Sequence, residues 1–330
     1  MNNSNTFNPP NYLKNAHIQS VMNSIGPRKI RAIVIQKKLS TRQLILKSRN
    51  DASLIADFDS AQLNNETIVV LLHGWEGSSR SAYQVTTAFK LIENGFDVLR
   101  INFRDHGGSH GLNRHFFDST MTGEVAEAIE DFLQGRNYQN VFLAGFSLGG
   151  SFALRIAADY GENLNLCATV AISPPVDPVN TMAHLNKALF IYERYFFKRW
   201  KRSLEAKQSA FPEYKFHEEL RIARSLNDLN EFFIPRYTPY PSPTDYFSAY
   251  AITGNRLKSL TSQAYLIAAL DDPVIPSADI DRIDPHSLLT IKLQRHGGHC
   301  GFIEDCRANS WIETKMVEIF DHHRYCKLNK

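Results

Sequence analysis

The sequence predicts an α/β fold in which helices cover both faces of a mostly parallel central sheet. Strand and helix patterns alternate from about residue 30, and residues 67–72 form a continuous apolar run, typical of a strand buried on both faces. The alternation stops over residues 176–262, which carry helical, aromatic and Pro-rich stretches, and then resumes. This interruption is too long for a plain loop. We therefore predict a core formed by residues 1–175 and 263–330, with residues 176–262 as an inserted helical cap.

The individual elements follow from local patterns of apolar residues, taken in chain order. Short β-rich or continuously apolar runs predict strands at 29–36, 42–47, 53–58, 67–72, 96–101, 140–144, 167–172, 264–270 and 288–293. Helical spacing predicts helices from Tyr83 to a stop at Gly95, and at 124–133, 149–160 and 310–322. Alternating strands and helices favour parallel pairing, which places the carboxyl ends of the strands at one edge of the sheet.

Composition indicates an ordinary globular protein and argues against a nucleic-acid-binding one. The 330 residues are 43% hydrophobic and 22% charged, which is ordinary for a globular chain with one large core and an insertion. The formal net charge of +3 is too small to indicate a nucleic-acid partner.

Sequence signals for compartment and membrane insertion are weak. The four cysteines form no CxxC pair and no zinc spacing, so we expect free thiols in a reducing compartment; they are Cys167, Cys300, Cys306 and Cys326. Residues 1–12 lack the features of a signal peptide, and no run of 18 apolar residues predicts a membrane-spanning helix. The default expectation is a cytoplasmic protein.

The most specific motif is Gly145-Phe146-Ser147-Leu148-Gly149, which lies between a predicted strand and a predicted helix. A nucleophile elbow requires this context, because a tight strand-to-helix turn projects the serine above the sheet. Positions 145 and 149 must be small, since strand and helix approach closely there. We therefore predict Ser147 as a nucleophile.

A serine hydroxyl needs a base, and in this arrangement an acid and then a histidine follow the serine along the chain. Asp272 follows the strand predicted at 264–270, and His299 follows the one at 288–293. We predict His299 as the base and Asp272 as the acid that orients it. Asp272 is preferred to Asp271 because a turn of the type Asp-Pro-x-x-Pro would point its carboxylate toward the histidine loop. His299 is preferred to His296 because two glycines precede it and allow a close approach.

Hydrolysis of an ester also needs donors for the oxyanion of the tetrahedral intermediate. The backbone amide of Leu148 is one predicted donor, and the loop after the strand at 67–72 should provide the second. In that loop the amide of Trp75 is the candidate, and we expect His73 to maintain the loop's shape. Cys300, directly after the base, is expected to line the site as a small residue.

Two histidines raise the question of a metal site. His106 and His110 lie in one loop, but Gly107 and Gly108 prevent the helix that would align them, and no third ligand stands at a suitable spacing. We predict neither a metal nor a cofactor.

These motifs resemble the α/β-hydrolase superfamily and, within it, the YheT-like branch. The resemblance runs over nearly the whole chain and includes the early segment 15–20 (NAHIQS), the loop LLHGWEGSS, the elbow GFSLGG, and the motifs DDP and GGHCGF. The chain departs from the family where Arg104 is followed by Asp-His-Gly-Gly, so the loop beside the pocket is expected to differ in shape. The resemblance implies an α/β-hydrolase fold and a carboxylic-ester hydrolase acting on short- or medium-chain acyl esters.

Three functions compete: a carboxylesterase or related acyl hydrolase, a lipase-like or acyl-transferring enzyme at a membrane surface, and a catalytically silent binding module. The last is disfavoured because both oxyanion loops and every member of the triad are present. A small-molecule acyl ester is the expected partner, while the oligomeric state is left open.

Residues 185–204 show aromatic and apolar residues at helical spacing together with six Lys and Arg residues. One interpretation is a cap helix whose aromatic side roofs the acyl pocket while its basic residues stay in water. The other is a basic amphipathic element that also makes weak contact with anionic lipid. The residues at helical spacing that form the aromatic and apolar side are Leu185, Leu189, Tyr192, Tyr195 or Phe196, and Trp200.

Overall fold

The computed structural model describes residues 6–49, 51–187 and 190–326, and its centre is one eight-stranded sheet. The strands are β1 (Arg42–Lys47), β2 (Ser53–Asp59), β3 (Thr67–Leu72), β4 (Asp97–Ile101), β5 (Asn140–Phe146), β6 (Leu166–Ile172), β7 (Gln263–Ala269) and β8 (Leu289–Gln294). They lie in the order β1-β2-β4-β3-β5-β6-β7-β8. The pairs β1–β2 and β2–β4 are antiparallel and all the others are parallel. The predicted, mostly parallel sheet is confirmed.

Helices of the described residues cover the sheet and fill the insertion. They are α1 (Ala16–Met22), α2 (Pro27–Gln36), α3 (Ala82–Glu93), α4 (Thr122–Leu133), α5 (Leu148–Tyr160), α6 (Pro178–Lys187), α7 (Phe190–Ala210), α8 (His217–Ile222), α9 (Leu226–Tyr237), α10 (Pro243–Ala249) and α11 (Trp311–Cys326). None of the helices in these ranges is long and apolar enough to cross a lipid bilayer.

Strand β3 shows why the central strands are apolar without interruption, because all six of its residues are buried. Val69 and Leu71 pack on one face with residues of α3 and α11. Val70 and Leu72 pack on the other face with residues of α4 and α5. Since successive side chains of a strand point to opposite faces, a strand covered on both faces needs an apolar residue at every position.

The insertion between β6 and β7 consists of α6–α10 and has an aromatic interior of its own, with Phe216 and Phe233 at ring centroids 4.9 Å apart. Tyr246 and Phe247 of α10, by contrast, pack in the same apolar cluster as the sheet. Leu185 lies in α6, whereas Tyr192, Phe196 and Trp200 lie in α7. Leu189, assigned to the same apolar side, is outside the described residues.

One predicted strand is wrong, because residues 29–36 lie in helix α2. The Ile and Val residues of this segment favour a strand locally, and that preference misled the prediction. Gly26 at φ 64° followed by Pro27 begins a helix instead, since proline is pre-organised for the first helical position. Buried Arg28 then attaches α2 to α11 by donating from Nη2 to Oε1 of Glu313 at 2.5 Å. A contact with a residue 285 positions away is invisible in a local pattern.

Candidate active site

Ser147 stands at the turn between β5 and α5, with a left-handed backbone of φ 53° and ψ −122°. Strand and helix approach so closely here that a Cβ atom on Gly145 would lie 2.0 Å from the carbonyl oxygen of Gly149. A Cβ atom on Gly149 would lie 2.4 Å from the carbonyl oxygen of His73. The requirement for small residues at both positions is therefore confirmed, and Ser147 has the backbone of a nucleophile elbow.

The three predicted triad residues come together at the carboxyl edge of the sheet. Ser147 follows β5, Asp272 follows β7 and His299 follows β8, and these strands run parallel. Nε2 of His299 lies 2.9 Å from Oγ of Ser147, and Nδ1 lies 2.9 Å from Oδ2 of Asp272. This hydrogen-bonded chain from carboxylate to imidazole to hydroxyl is the arrangement that allows a histidine to take a proton from a serine.

The other oxygen of Asp272 fixes the direction of its carboxylate. Oδ1 accepts hydrogen bonds from the backbone amides of Val274 (2.8 Å) and Ile275 (3.0 Å). The Asp272 side chain is only 2% exposed. Burial by itself lowers the pKa of His299, but the adjacent Asp272 carboxylate outweighs it and raises that pKa well above its ordinary value. The protonated form of this imidazole is therefore stabilised.

The alternative candidates, Asp271 and His296, form a neighbouring pair, and no hydrogen bond or ion pair found among the described residues joins either of them to Ser147. Oδ1 of Asp271 accepts a hydrogen bond from the amide of Gly298 at 2.9 Å. Oδ2 of Asp271 lies 3.4 Å from Nδ1 of His296. These two residues thus support the loop that carries His299.

Helix α1 supports the same loop, and the sequence patterns did not predict this role. The amide of His299 donates to Oγ of Ser20 at 2.8 Å. Oε1 of the fully buried Gln19 accepts from the amide of Ile303 at 2.6 Å, and its Nε2 donates to the Ile303 carbonyl at 3.1 Å. A Cβ atom on Gly298 would lie 2.3 Å from the carbonyl oxygen of Ala16. The one available signal was that the sequence contains both NAHIQS and GGHCGF, because these two segments contact each other in the structure.

The turn from Gly74 to Gly77 lies beside Ser147, because a Cβ atom on Gly74 would be 3.2 Å from Cβ of Ser147. Three of its four amides are engaged: Gly74 donates to Oη of Tyr83, Glu76 to Nε2 of His106, and Gly77 to the Gly74 carbonyl. Within the described residues, the amide of Trp75 makes no such bond. Leu148 is the first residue of α5, where helix geometry leaves the amide without an intrahelical acceptor.

Residues from two other segments hold this turn. Nη2 of Arg199 in α7 donates to the carbonyl oxygen of Glu76 at 2.5 Å. His106 is itself fixed by a contact of 2.7 Å between its Nδ1 and the carbonyl of Arg104. Burial raises the pKa of Glu76 to about 8, so this carboxyl is largely protonated at neutral pH. No pattern in the sequence distinguishes Arg199 from the other basic residues of 194–202, so this contact was not predicted.

The histidines of the neighbouring loops have structural partners. Nε2 of His73 accepts from the amide of Phe103 at 3.1 Å, which agrees with its predicted role in loop shape. His110 contacts Oγ of Ser203 at 2.9 Å through its Nε2. In the described ranges, no group of three or more His, Cys, Asp or Glu residues could hold a metal ion.

Two cavities meet at Ser147. The first is mainly apolar, and Leu148, Leu185, Phe196, Trp200 and Val274 are among the residues that line it. The second reaches His299 and buried Cys300 and has Lys29, Lys37, Arg80 and Arg199 in its wall. The aromatic side predicted for 185–204 is thus shared between them, since Trp200 lines the apolar cavity, Tyr195 lines the second, and Phe196 lines both. Tyr192 instead bonds His17 of α1 at 2.8 Å.

Comparison with known proteins defines the class. The chain belongs to the alpha/beta hydrolase fold family, whose model matches residues 67–305. It is 23% identical over 320 residues to "Putative esterase YheT" of Escherichia coli, covering 94% of this chain and 92% of that protein. The predicted resemblance to the YheT-like branch is confirmed.

Two further matches cover nearly the whole chain. An "Abhydrolase domain-containing protein" of Dictyostelium discoideum is 26% identical over 327 residues, which cover 95% of this chain and 80% of that protein. Among solved structures, an esterase of Pyrococcus furiosus superposes with a TM-score of 0.59 at 16% identity, covering 96% of this chain and 98% of the esterase. Identity at this level shows the shared fold alone.

Proposed function

We propose that this protein is a serine carboxylic-ester hydrolase that cleaves short- to medium-chain acyl esters through an acyl-enzyme intermediate. The observation that carries the proposal is the continuous hydrogen-bonded chain Asp272–His299–Ser147, with both links at 2.9 Å. The elbow supports it because this turn projects the serine hydroxyl above the sheet. The buried, oriented carboxylate supports it because it orients the base that activates the hydroxyl.

In the first half-reaction, Nε2 of His299 accepts the hydroxyl proton of Ser147 while Oγ attacks the ester carbonyl carbon. The carbonyl π electrons move to oxygen, and the amides of Leu148 and Trp75 donate hydrogen bonds to that oxyanion. The intermediate collapses, the C–O bond to the alcohol breaks, and the His299 imidazolium protonates the departing alkoxide. The acyl group is then bonded to Ser147.

In the second half-reaction, water takes the place of the alcohol. His299 accepts a proton from water as the water oxygen attacks the acyl carbon, and the same two amides bind the second oxyanion. Collapse breaks the bond to Oγ, and the proton held by His299 returns to Ser147. A carboxylic acid leaves, and no cofactor or metal enters any step.

The apolar cavity supports an acyl chain as the group bound next to Ser147. Its wall is formed by side chains such as Phe116, Leu185, Trp200 and Phe233, which favour hydrocarbon over water. Most of these belong to the insertion, so we propose residues 176–262 as the cap that sets chain length. The names of the similar E. coli and P. furiosus proteins, both called esterases, agree with this reaction class.

The proposal is tested with a series of p-nitrophenyl esters of increasing acyl length, with Ser147→Ala as the control. We expect turnover that peaks at short to medium chains, is abolished in Ser147→Ala, and is unchanged by EDTA. Turnover of equal size in Ser147→Ala would overturn the nucleophile. Loss of activity in EDTA that zinc or manganese restores would overturn the metal-independent mechanism.

A further inference from the structure

Helix α2 carries large apolar side chains on its solvent-facing side as well as on its buried side. Its inner face buries Ala32 and Ile35 against α3, together with Arg28, which pairs with Glu313 of α11 at 2.5 Å. Its outer face carries Ile30, Ile33 and Val34, exposed by 66%, 54% and 51%. A helix on the surface of a globular protein normally turns such residues inward. Large apolar side chains that adjoin one another in water indicate a contact surface.

The apolar surface continues onto neighbouring segments. Ile18, Val21 and Ile25, three and four residues apart, are also exposed. We call the set Ile18, Val21, Ile25, Ile30, Ile33 and Val34 the N-terminal apolar surface. Helix α7 adjoins it, because Nδ1 of His17 in α1 lies 2.8 Å from Oη of Tyr192. The exposed Phe190 and Ile191 begin that helix.

This part of the chain is also exclusively basic. Residues 1–50 contain nine Lys and Arg residues and no Asp or Glu, so all 34 acidic residues of the protein lie further along the chain. Lys29 on α2 and Lys37, directly after its last residue, are both exposed. Apolar side chains flanked by cations fit a surface that offers hydrocarbon and negative charge together, which is the interface of an anionic bilayer.

The second cavity connects this surface with the site. Ile25, Ile33 and Tyr195 are exposed residues of its wall, and the less exposed Ser147 and His299 line the same cavity. Glu76 is the only acid among the described residues that line it, and that side chain is buried. An ester that enters beside Ile25 and Ile33 therefore starts at the N-terminal apolar surface.

We propose that the N-terminal apolar surface, together with Lys29 and Lys37, docks this protein onto anionic phospholipid membranes. The surface binds peripherally, with its apolar side chains in the interfacial region and its lysines at the headgroups. That the cavity then delivers membrane-dissolved esters to Ser147 rests on the proposed function, whereas the docking does not. A second copy of the chain fits less well, since a two-fold contact would oppose the lysines with their own copies.

The test is flotation of the full chain with vesicles of phosphatidylcholine alone, or with one quarter phosphatidylglycerol, at low and high salt. We expect binding to the anionic vesicles that weakens at high salt. Ile30→Gln/Ile33→Gln/Val34→Gln and Lys29→Gln/Lys37→Gln should each weaken it roughly tenfold or more. The matched control is Ile45→Gln/Lys258→Gln, which changes exposed residues elsewhere and should bind like the wild type.

Circular dichroism and thermal unfolding verify that each variant is folded, and Ser147→Ala should bind as the wild type does because docking needs no catalysis. Absence of binding to anionic vesicles would overturn the proposal. So would equal binding by the control and both surface variants. The protein could instead fail to bind vesicles and form a concentration-dependent dimer that the apolar substitutions dissociate. That result would assign the surface to a second copy of the chain and would also overturn the proposal.

Discussion

The two halves of the site are held in different ways. The histidine half is fixed by buried groups, since Asp272 is 2% exposed and Gln19 is fully buried against the loop that follows His299. The proposed oxyanion half, the turn from Gly74 to Gly77, is held by buried Tyr83 and His106 and, in addition, by Arg199, which reaches it from an exposed position on α7. We therefore infer that proton transfer is pre-organised by the core alone, whereas the proposed oxyanion donors depend in part on how the insertion is seated.

The largest expected loss of activity comes from removing the base of the histidine half. His299→Ala removes the base and should lower kcat/KM by about 10⁴-fold or more, because the members of a triad act as a unit. His296→Ala is the matched control, and we expect less than about a tenfold loss, since this side chain only supports the loop. Similar losses in steady-state ester hydrolysis for the two variants would contradict the assignment of the base.

The next effect separates the two adjacent carboxylates. Asp272→Asn should lower kcat by about 10³- to 10⁴-fold, because the amide no longer stabilises the imidazolium. Asp271→Asn keeps an oxygen that can accept from Gly298, so its loss should stay below about tenfold. The reverse ranking would move the orienting role to Asp271.

The pH dependence of kcat/KM is a second test of the histidine half. His299 acts as a base only when neutral, and the Asp272 carboxylate raises its pKa well above the ordinary value. In the wild type, kcat/KM should therefore rise with pH across this elevated pKa, with its optimum on the alkaline side. In Asp272→Asn the residual activity should reach its plateau at lower pH, because the stabilising charge is gone. An unshifted profile would mean that another group controls the base.

A smaller effect concerns the support from α1. Ser20→Ala removes the acceptor for the His299 amide and should lower kcat about tenfold with little change in KM. Ser40→Ala, at an exposed serine beyond α2, provides the control. If both variants match the wild type, α1 is not needed to position the base.

The smallest effect tests the dependence of the oxyanion turn on the insertion. Arg199→Gln weakens the hydrogen bond to the Glu76 carbonyl, and kcat should fall about fivefold because the Trp75 amide is less well fixed. Lys198→Gln changes an exposed neighbour on the same helix and should have no effect. Equal behaviour of the two variants would show that α7 does not position this turn.

The sequence predicted the parts of this molecule that depend on local patterns. The apolar strands, the elbow at Ser147 and the order of acid and histidine were all visible, because each is determined by neighbouring residues and by strand order. Helix α2 was mistaken for a strand since its placement depends on Glu313, far along the chain. The supports from Ser20 and Arg199 were missed for the same reason, since both act through contacts with distant backbone groups.

The central claim is that Ser147 is the activated nucleophile, and covalent labelling tests it most directly. The full chain is treated with a fluorophosphonate probe, digested, and its adduct located by peptide mass spectrometry. We predict a single adduct on Ser147, formed far more slowly in His299→Ala and absent from Ser147→Ala. An adduct on another residue, or labelling that persists in Ser147→Ala, would contradict the account.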